Sequence, residues 1–176
     1  MPVEYEDHPF WDFSLRVYGR AGVSDACIAL QDRRGIDVNL VLFCIWNGES
    51  GRGRLDEVEI DTAIAATKPW NTEIVCHLRA VRDRLKDGLD PVRRDYSDAL
   101  RTDILKIEVA CEHAEQLTLA ASVVRTPDGD RPGEACADDA AANIIAYFHR
   151  HGFAPDAEDA KDAATILAAA FPERTC

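Results

Sequence analysis

Between Gln31 and Trp46 the chain reads QDRRGIDVNLVLFCIW: a charged stretch, a Gly, then an apolar run from Val38 to Trp46 interrupted only by Asn39. Nine residues of this kind must be covered on most sides, so the rest of the chain has to supply their walls. Periodicity alone admits a buried strand or a buried helix here. Val38, Val41 and Ile45 favour a strand. Leu40, Leu42 and the helical patterns on either side favour a helix, and a lone strand would have no obvious partner in this sequence. The run is therefore expected as a buried helix with Asp37 as its N-cap.

Every flanking segment carries a helical period. Asp7 is expected to cap a first helix with Pro9 in its first turn. Phe10, Phe13 and Val17 form one stripe of that helix, and Trp11, Leu15 and Tyr18 a second, as in a helix packed between others. Gly19 and Gly22 end it. Ser24 then caps a helix with Asp25 in its first turn, Arg33 and Arg34 in its last and Gly35 as its stop. Residues 48–54, GESGRGR, read as a flexible loop. Asp56 and Glu59 spell a capping box, with Leu55 placed to staple onto Ile60; the helix they start is expected to stop at Pro69.

Trp70, Ile74, Leu78, Val81 and Leu85 make an amphipathic helix ended by Gly88 and Pro91. The longest helix is expected from Val92 to Val124, roughly 50 Å at 1.5 Å per residue, with Tyr96, Leu100, Ile104, Ile107, Cys111, Ala114 and Thr118 as its main stripe. Residues 125–134, with two Pro and two Gly, are the strongest breaker in the chain. Two helices follow. Ala141, Ile144, Ile145 and Phe148 mark the first; Ala160, Ala163, Ala164, Leu167, Ala170 and Phe171 mark the second. Alanines permit close approach but bury little area each, so at ~25 cal/mol per Å² this pair is expected to be held less tightly than the core, as a satellite hairpin. The expected fold is all-α: a single helical bundle of seven or eight helices with one long central helix. Residues 1–124 form the core domain, 125–134 a loop and 135–176 a C-terminal helical pair packed on the core, one domain overall.

The net charge of −12 argues against sequence-independent binding to nucleic acid and against an anionic membrane surface. The acidity is uneven. Residues 107–176 carry five Lys/Arg against thirteen Asp/Glu, whereas residues 56–106 carry nine against eleven. An acidic start without an apolar leader-like run, and apolar runs far short of the ~20 residues a spanning helix needs, place the expected location in the cytoplasm. The six cysteines contain no C-x-x-C pair and should stay reduced; Cys27, Cys44, Cys76 and Cys111 sit in apolar periodic segments and are expected to be buried.

PFWDFSLRVYGRAGV at 9–23 and ALQDRRGIDVNLVLFCIW at 29–46 resemble an uncharacterised family of short proteobacterial proteins, with an F-W-x-F-S-L-x-x-Y segment and a later L-Q-D-x-x-G-x-D-V-N-L-L-L-F run. The likeness spans roughly the first 50 residues, with Trp70 and the Leu78-to-Leu85 helix fitting more loosely. It implies no reaction, cofactor or catalytic residue.

Two constellations stand out. Gln31, Asp32, Arg33, Arg34, Asp37 and Asn39 crowd against the apolar helix. There the arginines could hold a carboxylate or phosphate and the aspartates could act as an acid–base pair. The plain structural alternative is that the arginines face a helix C-terminus, Asp37 caps the next helix and Asn39 satisfies a loop carbonyl. The second constellation is aromatic. Phe10, Trp11, Phe13, Tyr18, Trp46 and Trp70 read mainly as core, with Trp11 and Tyr18 as a possible groove for a partner. Glu73/His77 and Glu108, Glu112 and His113 fall short of an Glu-x-x-His metal pattern and read as solvated faces, so no metal and no cofactor is expected. No nucleophile elbow, P-loop or dinucleotide fingerprint occurs. A protein-interaction or regulatory module, binding another protein, is the leading functional expectation. A small anionic-ligand or enzymatic pocket around Asp32, Arg33, Arg34, Asp37 and Asn39 is the alternative.

Overall fold

The apolar run folds as a helix. In the computed structural model, which describes residues 5–172, α3 spans Val38–Glu49, and the Asp37 carboxylate accepts from the Asn39 N–H to cap it. Asn39 through Gly48 are buried without a break. The surrounding helices are α1 (Pro9–Tyr18), α2 (Val23–Arg34), α4 (Glu57–Trp70), α5 (Cys76–Arg84), α6 (Arg94–Ser122), α7 (Gly133–His151) and α8 (Ala157–Ala170). No strand occurs among the described residues, and no helix there is long and apolar enough to cross a membrane. At 29 residues α6 is the longest, and it packs against α1, α3, α4 and α5.

Several helix ends follow local chemistry. Gly35 stops α2 with φ 64° and donates its N–H to the Gln31 carbonyl. Asp56 and Glu59 form both bonds of the capping box. Two starts differ from expectation. His8, not Asp7, caps α1, its Nδ1 accepting from the Phe10 N–H at 3.1 Å. The α2 helix starts from Gly22 at φ 81°, and the Ser24 hydroxyl instead donates to the Tyr18 hydroxyl.

Pro69 does not end its helix. It removes the N–H that the carbonyl four residues back would meet. The chain then widens into a π turn at Asn71–Val75, where the Cys76 N–H reaches the Asn71 carbonyl, and the Thr72 hydroxyl donates to the Lys68 carbonyl at 2.8 Å. A single-turn π bulge absorbs such a mismatch inside a continuing helix. The rod therefore runs on from α4 into α5.

The C-terminal pair is not a loosely held satellite. The buried face of α7 is Ala137, Ala140, Ile144, Tyr147 and Phe148, that of α8 includes Ala163, Ile166 and Ala170, and most of these belong to the same apolar cluster as α3. The faces are turned from the stripes expected, and Ile145 is exposed. Small residues are what make the contact tight. A Cβ on Gly48 would lie 2.4 Å from the Ala140 backbone nitrogen. Asn143 sews α7 to its neighbours, donating to the Cys44 and Gly53 carbonyls at 3.1 Å each and accepting from the Leu55 N–H at 2.8 Å. The loop at 48–54 is pinned as well: the Asp128 N–H donates to the Gly51 carbonyl, and Arg125 donates to the Arg52 carbonyl.

Arg33 and Arg34 hold α8. Arg33 Nε donates to Asp159 Oδ1 at 2.7 Å and its Nη2 to Asp162 at 2.7 Å; Arg34 reaches Asp159 Oδ2 at 2.9 Å and Asp156 at 2.6 Å. Asp159 is fully buried and also completes the α8 capping box. Asp159→Ala should therefore lower stability by about 2 kcal/mol in urea unfolding, less than a fully buried pair because both arginines keep some solvent. An unchanged midpoint would mean the pairs contribute nothing.

Of the cysteines expected inside, Cys27 and Cys44 are buried, whereas Cys76 is exposed and Cys111 half-buried; Cys136 is buried too, and Cys176 lies outside the described residues. Among the aromatics, Phe10, Phe13 and Trp46 are core, but Tyr18 and Trp70 are exposed.

Candidate functional site

The inner faces of α5 and α6 are polar. One turn beyond the buried Val75, α5 points Arg79 and Arg82 at α6, where Glu108 is almost fully buried. Arg79 Nε donates to Glu108 at 3.0 Å and its Nη2 to Glu112 at 2.8 Å, while Arg82 Nε donates to Glu108 at 2.6 Å. Arg79 also donates to the Gln31 side chain on α2. Between the α5–α6 hairpin and helices α1 to α3 lies a cleft of about 590 Å³. Its apolar wall includes Trp11, Leu15, Ile28, Leu42, Leu105 and Val109, and its polar lining includes Gln31, Asp32, Asp37, Asn39, Lys86, Arg101 and Gln116.

The cleft's floor is the start of α3 against α6. Glu115, though a carboxylic acid, is buried. Its Oε2 accepts from Asn39 Nδ2 at 2.8 Å and from Asn71 Nδ2 at 3.4 Å. Gln116 Nε2 in turn donates to Asn39 Oδ1 at 2.8 Å. Glu115 Oε1 and Asp37 Oδ2 are both buried without a hydrogen-bond partner, and the Asp37 charge acts directly on Glu115. Burying two like charges side by side is costly, which favours the neutral form of one of them. Burial, then the Asp37 charge, pushes Glu115 up to about 9. Burial also raises Asp37, opposed by the neighbouring Glu115 carboxyl and by the Asn39 N–H. Below the pair, the Tyr147 hydroxyl of α7 accepts from the Asp37 N–H at 3.0 Å.

Among the other buried atoms without a partner, two belong to cleft-lining residues of α6: Gln116 Oε1 and Arg101 Nε. Both residues line the cleft from α6, fifteen positions apart, or about 22 Å along the axis at 1.5 Å per residue. Between them lie Leu105, Glu108, Val109 and Glu112. The cleft thus offers a donor near one end, an acceptor near the other and apolar surface between.

Of the residues expected from sequence to hold a ligand, Gln31, Asp32, Asp37 and Asn39 do converge on this cleft. Arg33 and Arg34 do not; their guanidinium groups are taken up by α8. Asn39 bonds Glu115 and Gln116 rather than a loop carbonyl. Trp11 and Tyr18, expected on a separate groove, line the same cleft, and Trp11 is fixed by stacking on His113 with ring centroids 4.1 Å apart. Arg79, Arg82, Arg101, Glu108, Glu115 and Gln116 were not anticipated. A signal for some of them exists: Glu108, Glu112 and Glu115 recur at i, i+4, i+7, an acidic stripe that Arg79 and Arg82 at i, i+3 can face.

Fold and site together define a small all-helical protein with a polar-floored cleft walled by five of its helices. The chain belongs to the family described as Protein of unknown function (DUF2390), whose model matches residues 9–119. Every residue lining the cleft lies inside that span, while α7 and α8 lie beyond it. Neither the curated proteins nor the solved structures include a match to the chain.

Proposed function

We propose that the protein, a single cytoplasmic helical bundle arranged about α6, binds a small elongated organic anion in this cleft. The observation that carries the reading is that two of the unpartnered buried groups on α6, Arg101 Nε and Gln116 Oε1, belong to residues lining the cleft at either side of an apolar wall. A buried polar atom without a partner loses on the order of 1–3 kcal/mol, which a ligand with complementary groups restores. Arg101, with Lys86 also lining the cleft, suits a carboxylate or phosphate head. The acceptors Gln116 Oε1 and Asp37 Oδ2 suit a hydroxyl or amino group at the other end. The expected anion site is therefore moved from Arg33 and Arg34, which are engaged, to Arg101 and Lys86.

A thermal-shift screen of carboxylates and phosphates that carry an apolar body and a distal hydroxyl or amino group should find a stabilising compound. Arg101→Gln should weaken its binding at least tenfold, as loss of about 1.4 kcal/mol implies, whereas Lys106→Gln, on the opposite side of α6, should leave it unchanged. Equal binding to both variants would sink the assignment. The protein-interaction reading rests on a different surface, the outer side of the α5–α6 hairpin.

A further inference from the structure

The hairpin made by α5 and α6 is amphipathic the wrong way round. Its inner face carries Arg79, Arg82, Glu108 and Glu115, and α5 has no fully buried residue at all. Its outer face carries Trp70, Ile74, Val81, Tyr96, Leu100 and Ile107, each between 38% and 55% exposed. These are the two stripes whose spacing marks them as core, and nothing in the described fold covers them. We infer that a second copy of the chain covers them, the outer faces of two α5–α6 hairpins packing together across a two-fold axis.

Four observations favour a second copy. The stripes form one surface: Trp70 Nε1 donates to the Cys111 carbonyl at 3.0 Å at one end of the hairpin, and Arg94 reaches the Lys86 carbonyl at 2.6 Å at the other. Counting equal rises from the first contact sets Ile74 level with Ile107 and Val81 with Leu100, so paired apolar residues continue along the hairpin. The area is also sufficient. Half-exposed side chains of this size present on the order of 600 Å² together, at the top of what a monomer leaves open and close to the ~800 Å² each side of a standard interface buries.

Charge is the third argument. Residues 70–111 carry eight Lys/Arg and eight Asp/Glu, whereas the whole chain carries −12. A neutral apolar face on an acidic protein avoids the like-charge repulsion that two copies would meet elsewhere, and it offers no net charge to steer an acidic or a basic partner. Geometry is the fourth. A two-fold axis across the hairpin would lay the Trp70 end of one copy over the Tyr96 end of the other, giving four packed helices and an isologous, closed contact. The cleft opens on the inner side of the hairpin and stays accessible in such a dimer, so this inference stands apart from the ligand reading.

Sedimentation velocity across the micromolar range should show the purified chain passing to twice the chain mass as concentration rises. Leu100→Glu and Ile107→Glu together should return it to the monomer mass, while the far-UV spectrum stays unchanged because both sites are half-exposed in the single chain. Leu105→Glu, at the cleft side of α6, should leave the dimer intact. A wild-type chain that stays monomeric throughout the range would overturn the inference, as would a dimer that survives the double variant. Flotation of a monomeric chain with neutral phosphatidylcholine vesicles, lost in the double variant, would assign the face to a lipid surface and overturn it too.

Discussion

Gly48→Ala is expected to destabilise the protein by about 3 kcal/mol or more, although alanine is the better helix former. The added Cβ would lie 2.4 Å from the Ala140 nitrogen and 2.6 Å from both its Cα and Cβ. Two of those three atoms are backbone, so no rotamer change in α7 relieves the clash. The helix itself has to move outward. Ala140, Ile144, Tyr147 and Phe148 ride on that helix and pack into the cluster with α3, so a shift of the axis loosens all of them at once. Gly→Ala inside an exposed helix would gain roughly 1 kcal/mol from propensity, which sets the sign of the competing effect but not its size. For a chain of this length each kcal/mol is worth ~2–4 °C, so the melting temperature should fall by about 10 °C. A melt at or above the wild-type temperature would show that α3 and α7 do not approach this closely.

The same contact shows what could be read from sequence. Caps were legible at Asp37, at Asp56 with Glu59 and at Gly35, because each acts within its own turn of chain. The helical state of Val38–Glu49 was legible from its context. Pro69 was misread because its effect depends on the π turn that follows it, which the sequence does not announce. For α5 and α6 the stripes were recognised but their direction was not. Periodicity says that a face is apolar and leaves open which neighbour, if any, covers it. Glu108, which reads as part of a solvated face, is buried on the opposite side together with Ser97 and Glu115. The candidate site divides along the same line. Asp37 and Asn39 were singled out by their place at a helix start, but their partner Glu115 stands 76 residues beyond Asn39, and Arg33 meets Asp159 126 residues away. Such pairings belong to the tertiary fold. A view confined to one helix end made Arg33 and Arg34 look available for a ligand.

Glu115→Gln is expected to flatten the loss of stability that the wild type shows as the pH rises. The Gln side chain is the isostere of the protonated acid: its oxygen can still accept from Asn39 and Asn71, and its amide can donate to Asp37. In the wild type, Glu115 holds its proton in the folded state up to about 9, through burial and then the Asp37 charge, whereas in the unfolded chain it releases the proton near the ordinary value of 4.5. Between these limits the folded state binds more protons than the unfolded one, so raising the pH favours unfolding. The stabilising contribution is thus complete below 4.5 and disappears as the pH rises towards 9. One proton gives a slope of up to about 1.4 kcal/mol per pH unit, several kcal/mol between mildly acidic and mildly alkaline buffer. Urea titrations of both proteins at a series of pH values give this slope as the difference between them, with the Asp37 beside Glu115 included in it. The curves should diverge as pH rises, with the variant the more stable at the alkaline end. Parallel curves would mean that Glu115 is ionised in the fold and that Asp37 and Glu115 hold no proton between them.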